Sequence, residues 1–140
     1  ELGATHTFNS AEDDCVDKIK ALTNGGVHCA IEMAGSEKAL EFAYQITRRG
    51  GTTVTGGLAH PEKKVAIQQV SIVAEERTLK GSYVGSCVPV RDVARYVSLF
   101  RQGKLPVDKL LTDTLTLDQI NEGFEKLAAG KAVRQVILFD

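Results

Sequence analysis

Short apolar runs alternate with amphipathic stretches along the first part of the chain. His6–Phe8 is a β-prone run, and Asn9 and Ser10 follow as turn residues. Ser10-Ala-Glu-Asp13 resembles a capping box, with Asp in place of Glu or Gln. Val16, Ile19 and Leu22 then recur at helical spacing until Gly25-Gly26. In VHCAIEMAG, Val27, Cys29, Ile31 and Met33 alternate with His28, Ala30 and Glu32. That period predicts a strand ending at Ala34-Gly35, with Met33 on the same core face as Val27 and Ile31. Ser36 caps a second predicted helix, whose apolar positions are Leu40, Ala43, Tyr44 and Ile46 and which Gly50 ends. Thr52–Thr55 is a β-branched run and a third predicted strand. Strand, helix, strand, helix, strand with short connections is the sequence form of two βαβ units on a parallel sheet.

The rhythm loosens after Gly57. Pro61 marks a polar turn region, Val65–Gln68 suits a short strand, and Val70–Glu75 suits one or two helical turns. Thr78–Val84 reads as a strand and Pro89–Gln102 as a helix, with proline in the first turn and Gly103 as its stop. Leu111–Leu115 is β-prone. Thr116-Leu-Asp-Gln119 is a capping box ahead of Ile120, Phe124 and Leu127, and Gln135–Phe139 reads as a buried strand. No linker divides the chain, so residues 1–140 are expected to form one domain.

Composition narrows the function classes. Net charge is −1, which gives no electrostatic case for nucleic acid or an anionic membrane. No apolar run approaches the roughly 20 residues that span a bilayer. Cys15, Cys29 and Cys87 are far apart and odd in number, so a reducing, cytoplasmic setting is expected and a zinc site made from them is not. The chain opens on ELGATHTF without an initiator Met, and the expectation is a piece of something longer.

The stretch Arg48–Gly57, RRGGTTVTGG, suggests a phosphate loop. The motifs for one are missing. No two of the 13 glycines are separated by one residue, so G-x-G-x-x-G is absent. Gly51 and Gly56 have the Walker A interval, but Gly57 stands at the lysine position. His6, His28 and His60 do not form a metal set, and no G-x-S-x-G elbow occurs. From the residues alone this is an α/β domain without a complete catalytic constellation.

Several segments in order resemble the medium-chain, zinc-dependent alcohol dehydrogenases: ELGATHTF, TNGGVHCAIEMAG, RRGGTTVTGG, TLKGSYVGS and LDQINEGFEKLAAGKAVRQVILF. The resemblance covers nearly the whole chain and implies the C-terminal part of such an enzyme, beginning within its cofactor domain. The implied fold is a partial Rossmann-type, doubly wound parallel sheet lacking the first two strands, with a tail that returns to the catalytic domain. The implied activity is hydride transfer between an alcohol or aldehyde and NAD or NADP in the parent, with zinc held by residues upstream of Glu1 and no catalytic residue in this chain. A zinc-free quinone or enoyl reductase of the same superfamily, or a non-catalytic dimerisation module, are the alternatives.

The resemblance also implies one wall of a nicotinamide site. Met33, Ala34 and Gly35 end one strand, Thr55, Gly56 and Gly57 end the next, and Ser82 and Val84 follow a third. Arg134 matches an arginine that pairs with pyrophosphate. Each has a plainer reading: Gly35 as a turn glycine, Met33 as core, Ser82 as a strand residue, Arg134 as a solvated charge. Gly57 replaces a bulkier residue of many relatives and is expected to leave the strand end more open. Gly50 and Gly51 are expected to end a helix. The sheet is expected to expose an open edge at the strand ending in Met33, to self-associate as a dimer through that edge or through Val65–Gln68 or Thr78–Tyr83, and to be inactive and a poor NADH binder alone.

Overall fold

The computed structural model describes residues 2–139, and these gather mainly into two units, residues 3–87 and 88–139. The first contains α1 (Cys15–Leu22), β1 (Val27–Glu32), α2 (Glu37–Ile46), β2 (Thr47–Thr55), α3 (Gln69–Ala74) and β3 (Thr78–Gly81). Its sheet is parallel throughout, in the order β1-β2-β3. Parallel neighbours need crossovers, and α2 and α3 supply them. Ser36 caps α2 as its sequence predicts, its hydroxyl accepting from the Ala39 N–H at 3.1 Å.

Several local expectations change. Residues 6–8 form no strand, because a short β-prone run gains nothing without a neighbour to pair with. The Ser10 box does not form; Asn9 Oδ1 instead accepts from the Ala11 N–H in a turn. Residues 65–68 are irregular, while α3 falls where helical turns are predicted.

Glycine 50 does not end a helix. α2 stops at Ile46 and passes directly into β2, whose first residue, Thr47, is wholly buried. The Thr47 hydroxyl lies 2.7 Å from the Ala43 carbonyl, to which it donates, and 2.8 Å from the Thr53 hydroxyl. The β1–β2 register then slips: Val27 faces Thr47, but Cys29 faces Thr52. The surplus residues form an excursion in which Gly50 takes φ +68° and its N–H reaches the Glu75 carbonyl at 2.7 Å.

The alternation in β1 points the other way from the sequence reading. Ala30 and Glu32 are buried, whereas Ile31 is 68% and Met33 70% exposed. A strand with helices on both faces hides both residue sets; here β1 has β2 on one side only and an uncovered apolar face. A groove of about 850 Å³ runs there, lined by Cys29, Ile31 and Met33 of that strand and its end and by Phe42 and Ile46 of α2.

The second unit holds α4 (Pro89–Arg101), β4 (Leu111–Leu115), α5 (Ile120–Ala128) and β5 (Arg134–Ile137). Pro89 occupies the first turn of α4, and the Thr116 capping box forms, its N–H donating to Gln119 Oε1 at 3.0 Å. β4 and β5 pair in parallel across α5, and buried Gly123 lets the helix meet Leu115. β5 is not a buried strand: Val136, Leu138 and Phe139 are exposed.

Candidate functional site

Three strand ends lie in one row in the first unit, because Glu32 pairs with Thr55 and Thr55 with Gly81. This is the carboxyl edge, where ligands bind in open parallel sheets. The ladder continues past the strands: the Gly56 and Gly57 N–H groups donate to the Glu32 carbonyl at 2.9 and 3.3 Å, and the Ser82 N–H to that of Thr55 at 2.9 Å.

Glu32 is the hub of this edge. Its side chain is buried, with Oε1 accepting from the Gly35 N–H at 2.6 Å and Oε2 from the Thr55 hydroxyl at 2.7 Å. Burial pushes its carboxyl up. Hydrogen bonds from the Thr55 hydroxyl and the Gly35, Ala34 and Ser36 N–H groups outweigh that and hold it below the usual carboxylate range. In the sequence Glu32 reads as one of the outward, polar set of its strand. The available signal is an acid inside an apolar strand, three residues before a glycine that opens a turn.

Two turns touch backbone to backbone. Gly35 has φ +68°, and a Cβ there would sit 2.7 Å from the Leu58 carbonyl oxygen. A Cβ on Gly57 would lie 2.2 Å from the Gly35 nitrogen and 3.0 Å from Glu32 Oε1. Gly57 therefore does not open the strand end, as its sequence suggests; it closes it, because only a hydrogen fits between the two turns. Gly56 lies under the Met33 thioether, 2.9 Å from where its Cβ would be.

Met33, Ala34, Gly35, Thr55, Gly56, Gly57 and Ser82 are thus gathered at one edge. Met33 faces out and is not core. The strand expected to reach Val84 ends at Gly81, and Val84, Gly85 and Ser86 then take φ +48°, +65° and +55°. A β-branched residue in that region is strained, and such strain persists where surrounding contacts fix it; the Ser82 and Ser86 hydroxyls lie 3.2 Å apart. Arg134 opens β5 in the other unit, exposed, with its N–H directed at Thr112 Oγ1.

Charge at this edge is spent internally. Glu32 is satisfied by its own turns, and Lys63 and Glu37, beside it, pair with each other at 2.8 Å. What remains outward is main chain, the Met33 side chain and the Ser82 hydroxyl, a surface suited to a flat, neutral, polar group. Among the described residues no three His, Cys, Asp or Glu side chains cluster as metal ligands, and no helix is long and apolar enough to cross a membrane.

Comparison with known proteins agrees with the fold. Residues 1–102 match the family described as zinc-binding dehydrogenase. The chain is 37% identical to the NDMA-dependent alcohol dehydrogenase of Amycolatopsis methanolica over 99% of its own length and 38% of that protein's. It is 34% identical to geraniol dehydrogenase of Castellaniella defragrans, over 99% of its length and 37% of the relative's. The solved structure of benzyl alcohol dehydrogenase from Acinetobacter calcoaceticus superposes with a TM-score of 0.91 at 28% identity, covering 99% of this chain and 38% of that one. The chain spans less than two fifths of the length of each of these proteins.

Proposed function

The chain belongs to the zinc-binding dehydrogenase family, and from that premise we propose that it is the C-terminal cofactor-domain part of an NAD(P)-dependent alcohol dehydrogenase. The observation that supports this most is the chemistry of the carboxyl edge. Met33–Gly35, Thr55–Gly57 and Ser82 offer a neutral wall of main chain, hydroxyl and thioether, which fits a nicotinamide with its carboxamide. No cation stands among these residues, so the wall does not fit a pyrophosphate; Arg134 is proposed for that contact, where a guanidinium fork suits paired phosphate oxygens.

When bound, the cofactor supplies the hydride acceptor or donor, with an alcohol and its aldehyde or ketone as the substrate pair. The residues of this chain orient and shield. Gly35 and Gly57 let the two turns close against each other, Met33 lies over Gly56 and presents its side chain outward to one face of a ring, and Ser82 offers its hydroxyl beside them. Among the described residues no group of side chains is arranged to hold a zinc ion.

The same reading accounts for the uncovered groove along β1. The rest of the protein's sheet and helices would cover Ile31, Cys29 and Phe42 and supply the strand that β1 lacks. Where that cover is missing, the edge invites a second copy, and assembly at least as a dimer is part of the proposal.

The test compares the full-length protein with residues 1–140 alone, following NAD⁺ and NADP⁺ reduction at neutral pH with primary and secondary alcohols. The full-length protein is expected to turn over and the isolated chain to show neither turnover nor tight NADH binding. No turnover of any alcohol by a folded full-length protein overturns the reading.

A further inference from the structure

We propose that Glu32 is a positioning residue of the cofactor wall: by bonding the Gly35 N–H and the Thr55 hydroxyl it locks the turns at 33–35 and 56–58 against each other. The inference rests on the functional reading above and deepens it.

The wall is built from main chain, so its shape is only as fixed as its turns. One residue reaches all three glycines that make it. The Glu32 side chain takes the Gly35 N–H, and its carbonyl takes those of Gly56 and Gly57. Its second oxygen takes Thr55, the last residue of β2. All of these partners lie at the carboxyl edge, whereas Thr47, a buried polar residue at the opposite end of β2, bonds the Ala43 carbonyl of α2 and the Thr53 hydroxyl. The carboxylate also fills the space beside Gly57, so the turns approach as far as this group permits. Both oxygens are needed, and a side chain one methylene shorter cannot span from Gly35 to Thr55. Charge is not needed: a glutamine oxygen accepts from Gly35, and its amide donates to Thr55, whose hydroxyl accepts as well as donates.

The experiment uses the full-length protein with Glu32→Ala, Glu32→Asp, Glu32→Gln and, as a structural control, Thr47→Val. The dissociation constant for NADH is read by fluorescence titration of folded protein, beside Tm. Glu32→Ala and Glu32→Asp are expected to weaken NADH binding about ten-fold or more, the scale on which small misplacements act. Glu32→Gln is expected to stay within about three-fold of wild type, since it keeps both bonds. Thr47→Val is expected to lower Tm with NADH affinity unchanged. Wild-type affinity in Glu32→Asp, or a loss in Glu32→Gln as large as in Glu32→Ala, overturns the inference while leaving the functional reading standing. A wild-type protein that binds neither NADH nor NADPH overturns the reading and the inference with it.

Discussion

Gly50 and Gly57, near the two ends of β2, are required for different reasons. At the amino end, Gly50 stands in an excursion where the ladder with β1 slips, and nothing lies within 4 Å of where its Cβ would be. It is needed for its positive φ alone. At the carboxyl end Gly57 has no unusual φ but no room at all, with the Gly35 nitrogen 2.2 Å from the missing Cβ. One glycine answers a backbone angle, the other a collision. The angle is a local cost that any tolerant residue shares. The collision ties two turns together, and it is found where strand ends from three elements converge.

Substitutions at the two ends should therefore separate sharply. Gly57→Ala is expected to be the most damaging, at about 3 kcal/mol or more, because backbone on the far side cannot yield as a flexible side chain does; denaturant unfolding reads it. Glu32→Ala should follow at about 2 kcal/mol, since it strands the Gly35 N–H and the Thr55 hydroxyl. That same carboxylate adds a pH dependence. Its pKa is lowered on folding, so its stabilisation is full at neutral pH and is lost as pH falls through and below the usual carboxylate range. Glu32→Gln should flatten that acid limb in unfolding curves measured against pH. At the other end, Gly50→Ala should cost only about 1 kcal/mol, the strain of a left-handed residue without a clash. Equal losses for Gly50→Ala and Gly57→Ala would erase the distinction. Smallest of all, Val84→Gly should stabilise by about 0.5 kcal/mol, relieving strain at a partial entropic cost, and a calorimetric Tm resolves the sign.

The element order was largely readable because it rests on local signals. Ser36, Pro89 and Thr116 each act within a turn of where they stand, and their helices start accordingly. What failed depends on neighbours. The alternation from Val27 to Met33 identifies a strand but not which face is covered, and the exposed set is the apolar one. RRGGTTVTGG looks like a stop followed by a strand, yet β2 starts at Thr47, because Thr47 buries its hydroxyl against Ala43 and Thr53. Met33–Gly35 and Thr55–Gly57, which the sequence marks as strand ends, do lie side by side at the carboxyl edge. Glu32 does not stand out in the sequence, since a buried acid differs from an exposed one by its hydrogen-bond partners, and those are 3 and 23 residues away.

The turn at Val84–Ser86 has a stereochemical consequence. Three consecutive residues hold a backbone hand that L-amino acids resist and their mirror images prefer. A semisynthetic protein with D-valine at position 84 would meet that position without strain, leaving Ser86 as the one chiral residue of the turn held in the disfavoured hand. The chain instead retains two chiral L-residues around Gly85, and the turn keeps that hand through its own hydrogen bonds, from the Ser86 N–H to the Tyr83 carbonyl and from the Cys87 N–H to that of Val84.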